Sequence, residues 1–272
     1  MPELPEVETT RRGLAPHCAG RALVRLKVRE PRLRWRVSDA LPTQAAGRRI
    51  ESVGRRGKYL ILALEGEFNL LLHLGMSGHV RVVSARQPVK PHDHVDFCLD
   101  DGAILRFNDP RRFGSLHGIE GPAEGHPLLA GLGPEPLSEA FTGARLHRTA
   151  QGRRVPIKSL IMDSHVVVGV GNIYATEALY RAGIHPARAA GRIARARYDR
   201  LVAAIKAVLA EAIEAGGTTL RDFSRTDGLP GYFAQTLDVY GRGGEPCHAC
   251  GRMLRSIRLG QRATVYCPRC QR

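Results

Sequence analysis

The sequence predicts an α+β protein of several modules: an antiparallel β-rich N-terminal half, a helical second half and a small cysteine-organised hairpin at the C-terminus. Three observations carry this expectation. From Arg21 to about Ile119, short apolar stretches alternate with polar residues at period two. Beyond the Gly/Pro-rich stretch 118–137 the apolar period becomes helical. The last segment places Cys247 and Cys250 in one Cys-x-x-Cys pair and Cys267 and Cys270 in another.

PEVETTRRGL reads as a helix with Pro5 in its first turn and Glu6 and Glu8 near the positive end of the dipole. Leu4, Val7 and Leu14 share one face. RALVRLKV, RRIESV, KYLILAL, FNLLLHL, HVRVV, HVDFCL and AILRF follow as strands, with turn signals at Glu65-Gly66 and Asp101-Gly102. Most alternate as half-buried antiparallel strands do, which predicts a sandwich or a barrel. IKSLIMD and NIYATEALYRAGI read as short helices around the loop SHVVVGVG. A longer helix carries Tyr198, Leu201, Val202, Ile205, Val208, Leu209, Ala212 and Ile213 on one stripe and stops at Gly216-Gly217.

The chain has 272 residues, 43% of them hydrophobic, enough for one large domain or two ordinary ones. No apolar run approaches the roughly 20 residues of a membrane span, and the start lacks a secretory layout. A cytoplasmic protein without a membrane partner is expected. Lys and Arg number 41 against 26 acids, for a net charge of +15, which points to a polyanionic partner, nucleic acid or an anionic membrane surface. Codon bias toward arginine would not change net charge, so the excess is informative and the few lysines are individually interesting.

In such a chain the paired cysteines argue for metal rather than disulfides. Two knuckles separated by 16 residues converge four thiolates on one tetrahedral ion, with room between them for a β-hairpin. One structural Zn²⁺ is expected at Cys247, Cys250, Cys267 and Cys270. All four positions are filled by protein, so the metal holds shape. The hairpin presents Arg252, Arg255, Arg258 and Arg262, a basic finger suited to phosphate.

Met1 followed by Pro2 favours removal of the initiator, which leaves a secondary amine. An α-amino group near a pKa of about 7.7–8.0 is appreciably neutral and nucleophilic at cellular pH. Attack on an aldehyde-level carbon gives an iminium, a strong electron sink. Glu3 and Glu6 are the neighbouring proton-transfer or positioning groups. His92 and His94 form a His-x-His pair, but no nearby third ligand supports a metal.

MPELPEVE, HLGMSG at 73–78, NDPRRFG at 108–114, VGVGNIYATEALYRAGIHP at 168–186, GGTTLRDF at 216–223 and the QRATVYCPRC ending occur together in this order. In that combination the chain resembles the bacterial formamidopyrimidine-DNA glycosylases, the 8-oxoguanine repair family, over essentially its full length. The resemblance implies an N-terminal β-sandwich catalytic domain with flanking helices (1–119), a linker (120–137), a helix–two-turns–helix domain (138–240) and a zinc finger (241–272). It also implies a bifunctional glycosylase and abasic-site lyase, monomeric, acting on duplex DNA that contains oxidised purines or abasic sites in the bacterial cytoplasm and nucleoid.

By the same resemblance Pro2 attacks C1′ of the damaged nucleotide, expels the base and drives β,δ-elimination. Glu3 protonates the sugar ring oxygen, Lys58 donates protons and contacts phosphate, and Arg262 serves the δ-elimination. Met76, Arg111 and Phe113 match the plug that fills the hole left by the extruded base. Lys158, Asn172, His92 and Arg153 or Arg154 match DNA contacts. Arginine stands at 153 and 154 where relatives have lysine. Residues 218–233 match the loop that closes over the base. The endonuclease VIII type, which prefers oxidised pyrimidines, is the nearest alternative; a non-catalytic DNA-damage-binding protein on the same scaffold and a zinc-ribbon RNA-binding factor are the others.

Overall fold

The computed structural model describes residues 2–217 and 237–272. It divides into two compact units. The first comprises the described residues to Ala130 with Ala215–Gly217; the second comprises Gly131–Glu214 with those from Leu237 onward.

The first unit opens with α1 (Leu4–Cys18), followed by β1 (Leu23–Val28), α2 (Leu41–Ala45) and β2 (Ile50–Arg56). Six strands complete it: β3 (Tyr59–Leu64), β4 (Phe68–His73), β5 (His79–Ser84), β6 (Asp93–Leu99), β7 (Ala103–Asn108) and β8 (Ser115–Glu120). They form two four-stranded sheets, ordered β1-β6-β7-β5 and β2-β3-β4-β8, with antiparallel neighbours throughout. Leu26, Phe97, Leu105 and Phe107 of one sheet share a core with Leu60, Leu62, Leu70 and Leu72 of the other, and Val7, Leu14 and Leu41 join it from the helices. The sandwich is therefore the alternative that forms.

Helix α1 begins where expected, with Glu3 as extended N-cap and Pro5 in the first turn. It runs past Leu14 because Cys18 continues the buried face one turn on, its Sγ donating to Leu14 O at 3.2 Å. Pro16 lies in the last turn. Strand β8 and helix α2 are absent from the sequence expectation. Ser115, His117 and Gly118 dilute the alternation of β8, and five residues are too few for α2 to show a helical period. The stretch expected as irregular linker holds the end of β8, a 3₁₀ turn at Ala123–Gly125 and α3 (Pro127–Ala130).

The second unit contains α4 (Gly143–Ala150), α5 (Ile157–Ile161), α6 (Asn172–Arg181), α7 (Arg195–Glu214), β9 (Arg255–Leu259) and β10 (Arg262–Tyr266). Helix α4 is a further addition to the sequence reading. Thr142 caps it, its Oγ1 accepting from Arg145 N at 3.2 Å. The stripe expected on α7 is buried, from Tyr198 at 0% exposed to Ile213 at 8%. No helix among the described residues is long and apolar enough to cross a membrane.

Candidate active site

In the first unit, Pro2 and Glu3 are both buried at the start of α1. The Glu3 N–H donates to Glu6 Oε2 at 2.8 Å, the backbone half of a capping box, so Glu6 fixes the residue that follows the proline. Met1 lies outside the described residues. Lys58 sits in the two-residue turn joining β2 to β3, whose strands pair at Arg56 and Tyr59. One turn along α1, Glu8 ties that turn to the helix. It accepts from Arg55 Nε at 3.0 Å, while Arg55 Nη1 donates to Gly57 O at 2.8 Å, immediately before Lys58.

His73 ends β4 beside this region. Its Nδ1 accepts from Gly75 N–H at 3.0 Å, and its ring lies 4.8 Å from that of Tyr59. Burial, reinforced by the positive charges of Lys58 and Arg34, pushes its pKa down to about 4. His73 is thus a neutral acceptor at physiological pH and orients the loop that carries Met76. Met76 and Phe113 line a cavity of about 400 Å³ with Arg34, His73 and Gly75. Arg111 stacks on Phe113, its guanidinium carbon 4.8 Å from the ring centroid, and Phe113 is 44% exposed. Three residues from two distant motifs therefore emerge together.

His92 is exposed with φ of 71°, its ring 6.1 Å from His94. His94 is buried and its Nε2 meets Asp109 O at 2.8 Å, so it serves the backbone. The segment before His92 is held by charge: Asp93 accepts from Lys90 N and Arg81 Nη2 at 2.7 Å each, and Arg106 donates to Gln87 O at 3.1 Å.

In the second unit, Lys158 of α5 is 2% exposed. Its Nζ donates to Asn172 Oδ1 and to Thr264 Oγ1, each at 2.7 Å. Asn172, the first residue of α6, donates from Nδ2 to Ala263 O at 3.3 Å. Lys158, Asn172 and β10 thus form one brace. Beside it Lys158, Ser159, Asp163, Gly260 and Arg262 line a cavity of about 250 Å³. Arg262 is exposed at the start of β10. The turn before it, Gly260-Gln261, has φ of 50° and 61°, the positive pair that a tight two-residue hairpin requires. Arg153 and Arg154 are exposed between α4 and α5. The loop expected at 218–233 lies outside the described residues.

The ligand atoms of Cys247, Cys250, Cys267 and Cys270 all lie within 4.8 Å of one another, and the chain has no disulfide among them. Sγ separations of 4.0 Å (Cys247 to Cys270) and 3.5 Å (Cys250 to Cys267) bracket the edge of about 3.8 Å that a tetrahedron with Zn–S of about 2.3 Å demands. The Tyr180 hydroxyl lies 3.2 Å from Cys247 Sγ, where a phenol donates to a thiolate.

Sequence reasoning missed three supporting acids. Glu8 and Asp109 sit inside recognised motifs, but without geometry nothing separates them from neighbouring polar residues. Glu177 is 1% exposed on α6 and accepts backbone N–H bonds from Asp238, Val239 and Tyr240 at 2.7–3.0 Å, anchoring the chain that enters the cysteine module. An acid in the middle of NIYATEALYR gives no sign of that.

Residues 1–116 match the family model described as formamidopyrimidine-DNA glycosylase N-terminal domain, and residues 132–224 the H2TH domain of the same proteins. The chain belongs to the formamidopyrimidine-DNA glycosylase family. Residues 244–272 match a zinc finger found in this family and in IleRS, so the four cysteines hold one structural zinc. The formamidopyrimidine-DNA glycosylase of Methylococcus capsulatus is 60% identical over all of both chains. The Thermus thermophilus family crystal structure is 44% identical with a TM-score of 0.90, covering 99% of this chain and 98% of that one. A Lactococcus lactis variant in complex with Fapy-dG-containing DNA is 32% identical, with a TM-score of 0.93 and full coverage of both. The sandwich, helical domain and zinc hairpin are those of the family.

Proposed function

We propose that this protein excises oxidised purines, 8-oxoguanine and formamidopyrimidines, from duplex DNA and cleaves the strand at the abasic site left behind. The observation that carries the reading is the buried Pro2-Glu3 start of α1, held by Glu6, in a chain matched end to end by formamidopyrimidine-DNA glycosylases. With Met1 removed, the Pro2 nitrogen attacks C1′. The glycosidic electrons leave with the base, and Glu3 protonates the ring oxygen as the sugar opens. The resulting iminium acidifies the C2′ hydrogen. Its loss expels the 3′ phosphate, and a second elimination expels the 5′ phosphate. Lys58 assists proton transfer and contacts phosphate, and Arg262 serves the last step.

Met76, Arg111 and Phe113 fill the space vacated by the damaged nucleotide: two side chains stack and the arginine pairs with the orphaned cytosine. The exposed edges of His92, Arg153 and Arg154, with Lys158, Asn172 and Arg262, grip phosphates. Zinc supplies shape alone. We read 1–119 as the catalytic domain, 138–240 as the DNA-gripping domain and 241–272 as the finger of a monomer working on cytoplasmic, nucleoid DNA.

Borohydride reduction of the protein on a duplex with 8-oxoguanine opposite cytosine tests this. A covalent adduct is expected, and Pro2→Gly should abolish it, lowering strand scission by about 100-fold or more while DNA affinity stays near wild type. Trapping on thymine glycol in preference to 8-oxoguanine would instead assign the endonuclease VIII type. Tight binding without any adduct would leave only docking.

A further inference from the structure

The residues of the proposed plug come from two loops, 74–78 and 108–114, each closed by a backbone bond of its own, Gly78 N–H to Leu74 O at 2.9 Å and Arg112 N–H to Asp109 O at 3.1 Å, and neither bond fixes one loop against the other. A single buried carboxylate joins them. Asp109 is 0% exposed. Its Oδ1 accepts from Ser77 Oγ at 2.7 Å and its Oδ2 from Gly114 N–H at 2.7 Å. Ser77 Oγ in turn accepts from Arg111 N–H at 3.2 Å. One carboxylate therefore fixes the neighbour of Met76 and the neighbour of Phe113, and through the Ser77 hydroxyl the backbone of Arg111.

The backbone of Asp109 completes the arrangement. Its N–H donates to His92 O at 3.0 Å, and its carbonyl takes His94 Nε2 at 2.8 Å and Arg112 N–H at 3.1 Å. The last bond closes a turn with Pro110 at its second position. Arg112 leaves that turn at φ of 54°, an uncommon conformation for a non-glycine residue. The loops also touch directly, since a Cβ on Gly75 would strike Gly114 N and the Phe113 carbonyl. At that point the two loops pack backbone against backbone.

We infer that Asp109 and Ser77 are positioning residues for base extrusion: they lock Met76, Arg111 and Phe113 into one rigid wedge. The inference rests on the plug reading above. A wedge that fills a gap in a base stack must be stiff before it enters, because ordering three long side chains on entry would consume the stacking energy they recover. Neither Asp109 nor Ser77 touches DNA in this role.

Ser77→Ala tests the idea, because it removes one hydroxyl from a buried position and leaves the fold's apolar core intact. Asp109→Asn is the second variant, since it keeps the shape and loses the charge. Four readouts are compared with wild type: thermal unfolding, single-turnover release of 8-oxoguanine from duplex, strand cleavage at a preformed abasic site, and the fluorescence rise of 2-aminopurine placed opposite the lesion. Base release should fall about 10- to 100-fold with a matching loss of fluorescence amplitude, while abasic cleavage stays within about threefold. A merely structural role would lower both activities together with the melting temperature, and that outcome overturns the inference, as does unchanged base release. Met76→Ala and Phe113→Ala separate the two levels. If they leave base release intact, the plug reading fails and the latch with it; if they impair it and Ser77→Ala does not, the latch alone fails.

Discussion

At position 8 one carboxylate serves three guanidiniums. Glu8 Oε1 accepts from Arg11 and Arg12, and Oε2 from Arg11 and Arg55, at 2.8–3.0 Å. Burial works against its charge, but the three arginines outweigh burial and bring its pKa down to about 2. A carboxyl depressed in the folded state contributes stability that is complete above its unfolded pKa and disappears as pH falls through the folded value. Glu8→Gln should therefore cost about 2 kcal/mol near neutral pH, allowing for solvent screening of the arginines. Its melting temperature should converge with wild type between pH 4.5 and about 2. Calorimetry across that range checks it, and a constant difference down to pH 2 would refute it. The same residue shows what the sequence conceals. Glu8 reads as one more dipole-complementing acid in α1, and only the arrival of Arg55 from β2 reveals that it holds the Lys58 turn.

The C-terminal hairpin is the element most dependent on outside help. Two five-residue strands make a small module, with no residue of β9 fully buried and only Thr264, Val265 and Tyr266 buried on β10, so zinc must hold the finger closed. Lys158 and Asn172 then bind its inner strand at Ala263 and Thr264. Chelating the metal, or Cys267→Ser, should weaken DNA binding by about 10- to 100-fold, the worth of the one charge-assisted contact proposed at Arg262. Helical circular dichroism and adduct formation at the proposed nucleophile Pro2 should be preserved. Anisotropy titration with and without chelator measures the first, borohydride trapping at saturating protein the second. The finger was legible because its four ligands are local in sequence. Strand β8 was not, because Gly118 and His117 break its alternation and its strandedness comes from pairing along the whole of β4. Helix α4 likewise depends on packing against α7.

For the molecule as a whole, the charge of +15 favours a polyanion, and the number of phosphates it meets sets how binding responds to salt. Each phosphate neutralised releases counterions, so log affinity falls with log salt by about 0.9 per contact. Arg153→Gln and Arg154→Gln remove exposed charges from the second unit and should each flatten that slope by about that amount if the side chain meets phosphate. Affinity measured from low to physiological salt on lesion and undamaged duplexes gives the slopes. A change in lesion preference, rather than in slope, would count against phosphate contact at these positions.

By itself the sequence determined the zinc ligands, the sandwich-then-helix order and the family, and it singled out Pro2 and Glu3 for the chemistry proposed above. Each is written in contiguous residues or in a period that local backbone geometry reads directly. Tertiary structure alone decided which polar side chains act as braces. Glu8 meets Arg55, Asp109 meets Ser77 and Gly114, Lys158 meets Thr264, and Glu177 meets the 238–240 backbone. A buried polar group is tolerated only when its partners reach it, and all of those partners but Gly114 lie tens of residues away along the chain. No local pattern encodes such a meeting, because it exists only once the sheets and helices have packed.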